Sequence, residues 1–271
     1  MCIRDSSSSL DGFQKAQPRR LAVVKPDLRC KPNRMLISEI YESCQGEGLL
    51  TGTSSIFLRT SGCNLRCWFC DTPFTSWNAE GEKLEIESVV GKVSDLAKQK
   101  NCQHVVITGG EPMLQKEIVQ LTQMIQQLGL HITIETAGTV WHDVECDLVS
   151  ISPKLSNSTP SLERAGEWAA RHEKRRNSIS TVRKLIENFE YQLKFVVDTP
   201  DDFQEIENYI TELQSESDTV LQQKRILLMP QGVQQSELAE RAEWLQPYCV
   251  ERGYTFSPRK HIEWYGNKRG T

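Results

Sequence analysis

Apolar and polar positions along this chain follow two alternating periods. Residues 54–60 (SSIFLRT), 104–108 (HVVIT), 131–135 (HITIE), 148–151 (LVSI), 192–197 (QLKFVV) and 225–229 (RILLM) are short runs rich in β-branched and other apolar residues, which predicts six strands. Between them the apolar positions recur at helical spacing: Ile86, Val89, Val90, Val93, Leu96 and Ala97; then Ile118, Leu121, Ile125 and Leu128; then Phe203, Ile206, Ile210 and Leu213. Residues 234–252 predict a last helix. Strands separated by helices imply βαβ units and a parallel sheet. Six strands are too few for a closed eight-fold barrel. The expected fold class is therefore α/β, a partial, open β/α barrel of about six parallel strands. Chemistry is expected at the carboxyl ends of those strands.

Two stretches break the pattern. Residues 1–34 hold a serine run (6–9), Pro18, Pro26 and Pro32, and eight Lys or Arg against three Asp. They read as a disordered tail or an over-extended start, with Met35 the true beginning and residues 35–271 the domain. A basic, Ser-containing transit segment is the alternative. Residues 155–190 are polar and helix-prone and carry the basic run 172–176 (HEKRR). They are expected to form a polar helical insertion, either a solvated helix and linker or a contact surface for a partner.

Charge and cysteine usage narrow the function classes. The formal net charge of −4 provides no global basic field, so direct nucleic-acid binding is not expected. No apolar run approaches the roughly 18–20 residues of a membrane span, and nothing resembles a secretory signal. Three of the nine cysteines fall between Cys63 and Cys70, while Cys2, Cys30, Cys44, Cys102, Cys146 and Cys249 are scattered. That is not a disulfide framework, and a reducing, cytoplasmic location is expected.

The triplet is the sharpest chemical signal. In Cys63-Asn-Leu-Arg-Cys67-Trp-Phe-Cys70 three thiolates in one short loop can grip a soft metal centre. Structural zinc wants four ligands, often as two Cys-x-x-Cys pairs. No second pair exists, although Cys44 or His104 could in principle be a fourth ligand. A four-iron cubane held by three cysteines leaves one iron open. Downstream, Thr108-Gly109-Gly110-Glu111-Pro112 joins a predicted strand to a predicted helix. Glu135-Thr136-Ala137 and Ser152-Pro153-Lys154 end the next two strands, which places polar residues at three successive strand ends. On its own each could be an ordinary turn.

The Cys-x3-Cys-x-aromatic-Cys spacing, with Phe69 as the aromatic, resembles the radical S-adenosylmethionine superfamily. The Gly-Gly-Glu-Pro turn is similar to that superfamily's second motif. Residues 39–48 (EIYESCQGEG), Arg59, Asp71-Thr72 and the terminal HIEWYGNKRGT narrow the likeness to the 7-carboxy-7-deazaguanine synthase family, over about residues 35–271. A glycine-rich hairpin is the plain alternative for residues 39–48.

The resemblance implies a [4Fe–4S] cluster on Cys63, Cys67 and Cys70, S-adenosylmethionine on its open iron, and Mg²⁺ at Thr72. It implies that S-adenosylmethionine lies against Phe69, Gly110, Glu135, Thr136, Ala137, Ser152, Pro153, Lys154, Met229, Pro230, Gln231 and Gly232. It places the pterin substrate, 6-carboxy-5,6,7,8-tetrahydropterin, near Cys44, Gln45, Gly46, Arg59, Thr108 and His261. Cys44 stands where many relatives carry a larger residue, so a backbone contact is expected there. The implied reaction removes hydrogen from C6, contracts the ring, loses ammonia and yields 7-carboxy-7-deazaguanine for the queuosine and deazapurine pathway that modifies tRNA. An electron donor such as flavodoxin or ferredoxin and a homodimer are implied too. A glycyl-radical enzyme activase with the same cluster, or a non-enzymatic zinc-stabilised binding module, are the competing readings.

Overall fold

The computed structural model describes residues 33–215 and 220–271, so the expected N-terminal tail, as far as residue 32, lies outside the described residues. The described strands are β1 (Arg34–Cys44), β2 (Ser54–Thr60), β3 (Glu82–Glu85), β4 (His104–Gly109), β5 (His131–Thr136), β6 (Leu148–Ile151), β7 (Tyr191–Val197), β8 (Ile226–Pro230) and β9 (Thr255–Phe256). They form one open sheet of nine strands in the order β3-β1-β2-β4-β5-β6-β7-β8-β9. The six expected strands are its centre and run parallel from β2 to β8.

Three strands escape the sequence pattern, and each has a local reason. In β1 a register shift between Ile37 and Glu39 interrupts the alternation, and only Met35, Ile37 and Ser43 are buried. The strand β3 is EKLE, with no buried residue, and is held by its antiparallel ladder to β1. Two residues, β9, are too short for any periodicity. By contrast Val105, Val106 and Ile107 of β4 are wholly buried, as expected of a parallel strand covered on both faces.

Nine helices, among the described residues, connect the strands: α1 (Pro73–Ser76), α2 (Ile86–Lys100), α3 (Ile118–Gln126), α4 (Leu162–Ala165), α5 (Glu167–Arg176), α6 (Ile179–Asn188), α7 (Asp202–Ser215), α8 (Gln235–Arg252) and α9 (Lys260–Tyr265). The stripe predicted from Ile86 to Ala97 is the buried face of α2, which stops where Asn101 takes a left-handed conformation. Ile206, Ile210 and Leu213 of α7 pack into the same core. Each fully buried aliphatic side chain of this kind contributes about 1.5–3 kcal/mol. A Gln234–Glu237 capping box starts α8, and a left-handed Gly253 ends it.

The stretch 155–190 contains α4, α5 and α6. Val182, Leu185 and Ile186 of α6 are core residues, so the second half of this stretch is the crossover between β6 and β7. Within this stretch α4 and α5 stand outside the regular βα alternation. No helix among the described residues is long and apolar enough to cross a membrane.

Candidate active site

Each parallel strand delivers its last residue to one rim of the sheet, and the loops that begin there carry the predicted chemistry. The loop after β2 holds Cys63, Cys67 and Cys70, all as free thiols. It is anchored by Leu65, only 1 % exposed, and by bonds from the Trp77 indole to Cys67 O (3.0 Å) and from the Trp68 indole to Asn157 O (2.6 Å). Burial pushes the Cys63 thiol up to about 11 and Cys67 to about 12, and raises Cys70 as well. The Lys154 ammonium works against that rise at Cys63 and Cys67. A metal bound at such thiols would favour their thiolate form by compensating the charge.

The donor set distinguishes between metal centres. Among the described residues no three His, Cys, Asp or Glu side chains converge on a single ion position. Tetrahedral zinc needs that convergence. A cubane takes each thiolate on a different iron. The three cysteines line one cavity together with Gly110, Glu135, Thr136, Ala137, Ser152, Lys154, Met229 and Gln231. Three thiols from one loop lining a shared cavity, with the Lys154 ammonium lining it too, fit the cluster.

The glycine turn is locked onto this loop. Gly110 N–H donates to Thr60 O (3.1 Å) and Glu111 N–H to Gly62 O (2.9 Å). Gly109 has φ +120°, and a Cβ on Gly110 would fall 2.1 Å from Gly62 O. Fully buried Glu111 accepts from Met113 N (3.0 Å), Thr136 Oγ1 (2.8 Å) and Ala137 N (2.9 Å). It therefore staples the turn to the end of β5, although burial holds its pKa above the ordinary carboxylate value. Gly110→Ala is expected to lose about 1–3 kcal/mol of stability through overpacking against backbone. Urea melts of the apoprotein measure this, and a parental midpoint would contradict it.

A second, larger cavity of about 810 Å³, within the range of ligand sites, continues from the first. Phe69, Cys70, Asp71, Thr72, Thr108 and Glu135 line both. Cys44, Gln45, Gly46, Arg59 and His261, the residues expected near a substrate, line the larger one. Gln45 is tied to Ser55 Oγ at 2.9 Å. Arg59 donates to Glu39 (3.1 Å) and to the Tyr41 hydroxyl (2.6 Å), which fixes the plane of its guanidinium. Thr108 Oγ1 donates to Glu135 Oε2 at 2.7 Å. Three predicted residues, Pro153, Pro230 and Gly232, line neither cavity; all three are buried. Gly232 instead gives its carbonyl to Arg259 at 2.6 Å.

Sequence reasoning missed a charge cluster, Glu47, Lys194 and Arg259, that lines the cysteine-lined cavity. Glu47 is bonded to Lys194 Nζ (2.5 Å) and to Arg259 Nε (3.1 Å), with His261 Nδ1 at 3.8 Å. Arg259 also pairs with Asp71, and Lys194 reaches Glu135 at 3.8 Å. Burial alone would raise the Glu47 carboxyl, but the Lys194 and Arg259 charges hold it well below the usual carboxylate range. One signal was available: Lys194 interrupts the apolar run of β7, and a lysine in a buried strand requires a partner. Nothing in the sequence marked Arg259.

Comparisons with known proteins show the family. Residues 57–212 match the radical SAM superfamily. The chain is 46% identical over 246 residues to the 7-carboxy-7-deazaguanine synthase of Rhodopirellula baltica, covering 90% of this chain and 92% of that protein. It is 43% identical to the enzyme of the same name from Halobacterium salinarum, covering 83% and 88%. The crystal structure of QueE from Escherichia coli superposes with a TM-score of 0.57 at 24% identity, covering 84% of this chain and 95% of that one, which supports the fold. The named relatives favour neither an activase nor a zinc module. The chain therefore belongs to the radical SAM superfamily and, within it, to the 7-carboxy-7-deazaguanine synthases.

Proposed function

We propose that this enzyme converts 6-carboxy-5,6,7,8-tetrahydropterin to 7-carboxy-7-deazaguanine with loss of ammonia. The observation that carries the reading is the continuity of the cysteine-lined cavity with the larger charged one through Thr72, Thr108 and Glu135. Cys63, Cys67 and Cys70 would hold the [4Fe–4S] cluster, and Gly110, Glu135–Ala137, Ser152, Lys154, Met229 and Gln231 would hold S-adenosylmethionine. Bound there, the pair supplies a 5′-deoxyadenosyl radical by one-electron cleavage of the sulfonium.

The chain's own groups bind and orient. Arg59 presents a forked cation to the pterin carboxylate, with Glu39 and Tyr41 keeping it in plane. Thr72 offers a hard oxygen to Mg²⁺, which would steer the substrate carboxylate. Gly46 packs against His261, and Lys260 N–H donates to Gly46 O at 2.9 Å, so the C-terminal segment closes the far wall. Reduction by a flavodoxin or ferredoxin, a homodimeric assembly, a cytoplasmic site of action and use of the product for queuosine in tRNA complete the reading.

Product analysis by mass spectrometry after anaerobic incubation with the pterin tests it. 7-Carboxy-7-deazaguanine is the expected product. If 5′-deoxyadenosine forms but that product does not, the substrate assignment fails. Thr72→Val is expected to lower product formation roughly tenfold and remove its response to Mg²⁺ while cofactor cleavage continues uncoupled. An unchanged Mg²⁺ titration would remove Thr72 from the metal site.

A further inference from the structure

Helix α5 carries the basic run that no function has absorbed. Its His172 has no solvent exposure. Both ring nitrogens are engaged. Nδ1 accepts from the Arg66 backbone N–H at 2.9 Å, so it carries no proton. Nε2 lies 2.9 Å from Ser158 Oγ, and that hydroxyl already donates to Leu155 O at 2.6 Å. Nε2–H is therefore the donor to Ser158, and a single neutral tautomer satisfies every group. Burial, reinforced by the Arg176 charge, pushes the imidazole down to about 4 against the opposing Glu173, so it stays neutral at physiological pH.

Arg66 lies between Cys63 and Cys67, immediately before the latter. The rest of that loop is held from the same side. Trp68 N–H donates to Ser158 O (3.1 Å), Arg164 donates to Trp68 O (2.8 Å) and Arg175 donates to Asn64 O (3.2 Å). Ser158 itself follows the end of β6, where Ser152 and Lys154 face the cysteine-lined cavity. Of these side-chain braces only His172 is both uncharged and fully buried, so its geometry does not depend on salt or on side-chain mobility.

We infer that His172 is a positioning residue: it fixes the Arg66 amide, and with it the placement of Cys63 and Cys67 around the cluster, and it couples this loop to the end of β6 through Ser158. This rests on the cluster reading above. It gives α4 and α5 a purpose, as a brace on the metal-binding loop.

The test compares His172→Phe, which keeps a ring and removes both bonds, with His172→Asn, whose amide oxygen can take the place of Nδ1. Each protein is reconstituted anaerobically, and iron release to a chelator and the EPR signal of the reduced cluster are recorded. His172→Phe is expected to release iron about tenfold faster or more, the usual cost of losing an outer-shell partner, and to show a heterogeneous signal. His172→Asn should stay within about threefold of the parent with one signal. Ser158→Ala, which frees the ring but keeps the acceptor, should fall between them and remains informative if His172→Phe does not fold. Parental release from His172→Phe or from Ser158→Ala overturns the inference, as does equally fast release from His172→Asn and His172→Phe. A parent protein that takes up no iron overturns the cluster reading, and this inference with it.

Discussion

Cys67→Ala, reconstituted anaerobically with iron and sulfide, is expected to remain without a stable cluster and to release no 5′-deoxyadenosine above background. Cys67 is the most protected of the three thiols, 8 % exposed and pushed up to about 12 by burial. A group in that environment stays protonated unless a metal takes the proton's place, so its burial makes sense only as a ligand or as plain packing. The two differ in outcome. As packing, loss of the Sγ would cost a small cavity and leave cofactor cleavage intact. As ligation, two remaining thiolates cannot retain a cubane, and cleavage falls by at least about a thousandfold, about 4 kcal/mol of barrier. Cys102→Ala is the matched control. Cys102 is 2 % exposed, packs in the hydrophobic core, and its thiol donates to the carbonyls of Ser54 and His104, far along the strands from the rim. That variant should keep cluster and cleavage. Cofactor cleavage retained by Cys67→Ala would refute the assigned ligation.

The parts of this molecule that follow a local rule were legible. Central parallel strands are short runs rich in β-branched and apolar residues, so all six could be read, and 54–60 and 148–151 match to the residue. The cluster loop and the glycine turn were legible because their chemistry is packed into eight and five consecutive residues. Features that depend on partners distant in sequence were not. The strand β3 has a single apolar residue, Leu84, too little for a pattern, and is paired along the edge that β1 offers. Likewise Lys194 and Arg259 lie 147 and 212 residues from Glu47; Lys194 betrays only that it needs some partner, and Glu47 and Arg259 read singly as surface charges. His172 was visible only as the first letter of a basic run. Its neighbours Lys174 and Arg175 are exposed, and only the fold turns the histidine alone inward.

Glu47→Gln is expected to be the most destabilising change in the charge cluster that lines the cysteine-lined cavity. The wild-type carboxylate faces two cations, Lys194 and Arg259, that are 5 % and 6 % exposed. Removing one partner of a buried pair leaves uncompensated charge, at about 3–5 kcal/mol, which for a chain of this size lowers Tm by roughly 10 °C. Asp71 still offsets part of the Arg259 charge and Glu135 part of that on Lys194, while His261 adds none unless it protonates. The pH dependence separates this from simple loss of packing. The folded-state pKa of Glu47 is depressed, so its contribution is present above the unfolded value, about 4.3, and is lost as pH falls through the folded value. Lys194 and Arg259 are raised, so theirs is present at neutral pH and lost only as pH rises past their folded values. The stability gap between wild type and variant should therefore be widest near pH 7 and narrow steadily below about pH 4. A packing defect would leave a gap independent of pH. Urea melts of the two proteins across that range decide between them, and a gap that widens toward acid would show that Glu47 is not the anion these cations were folded around.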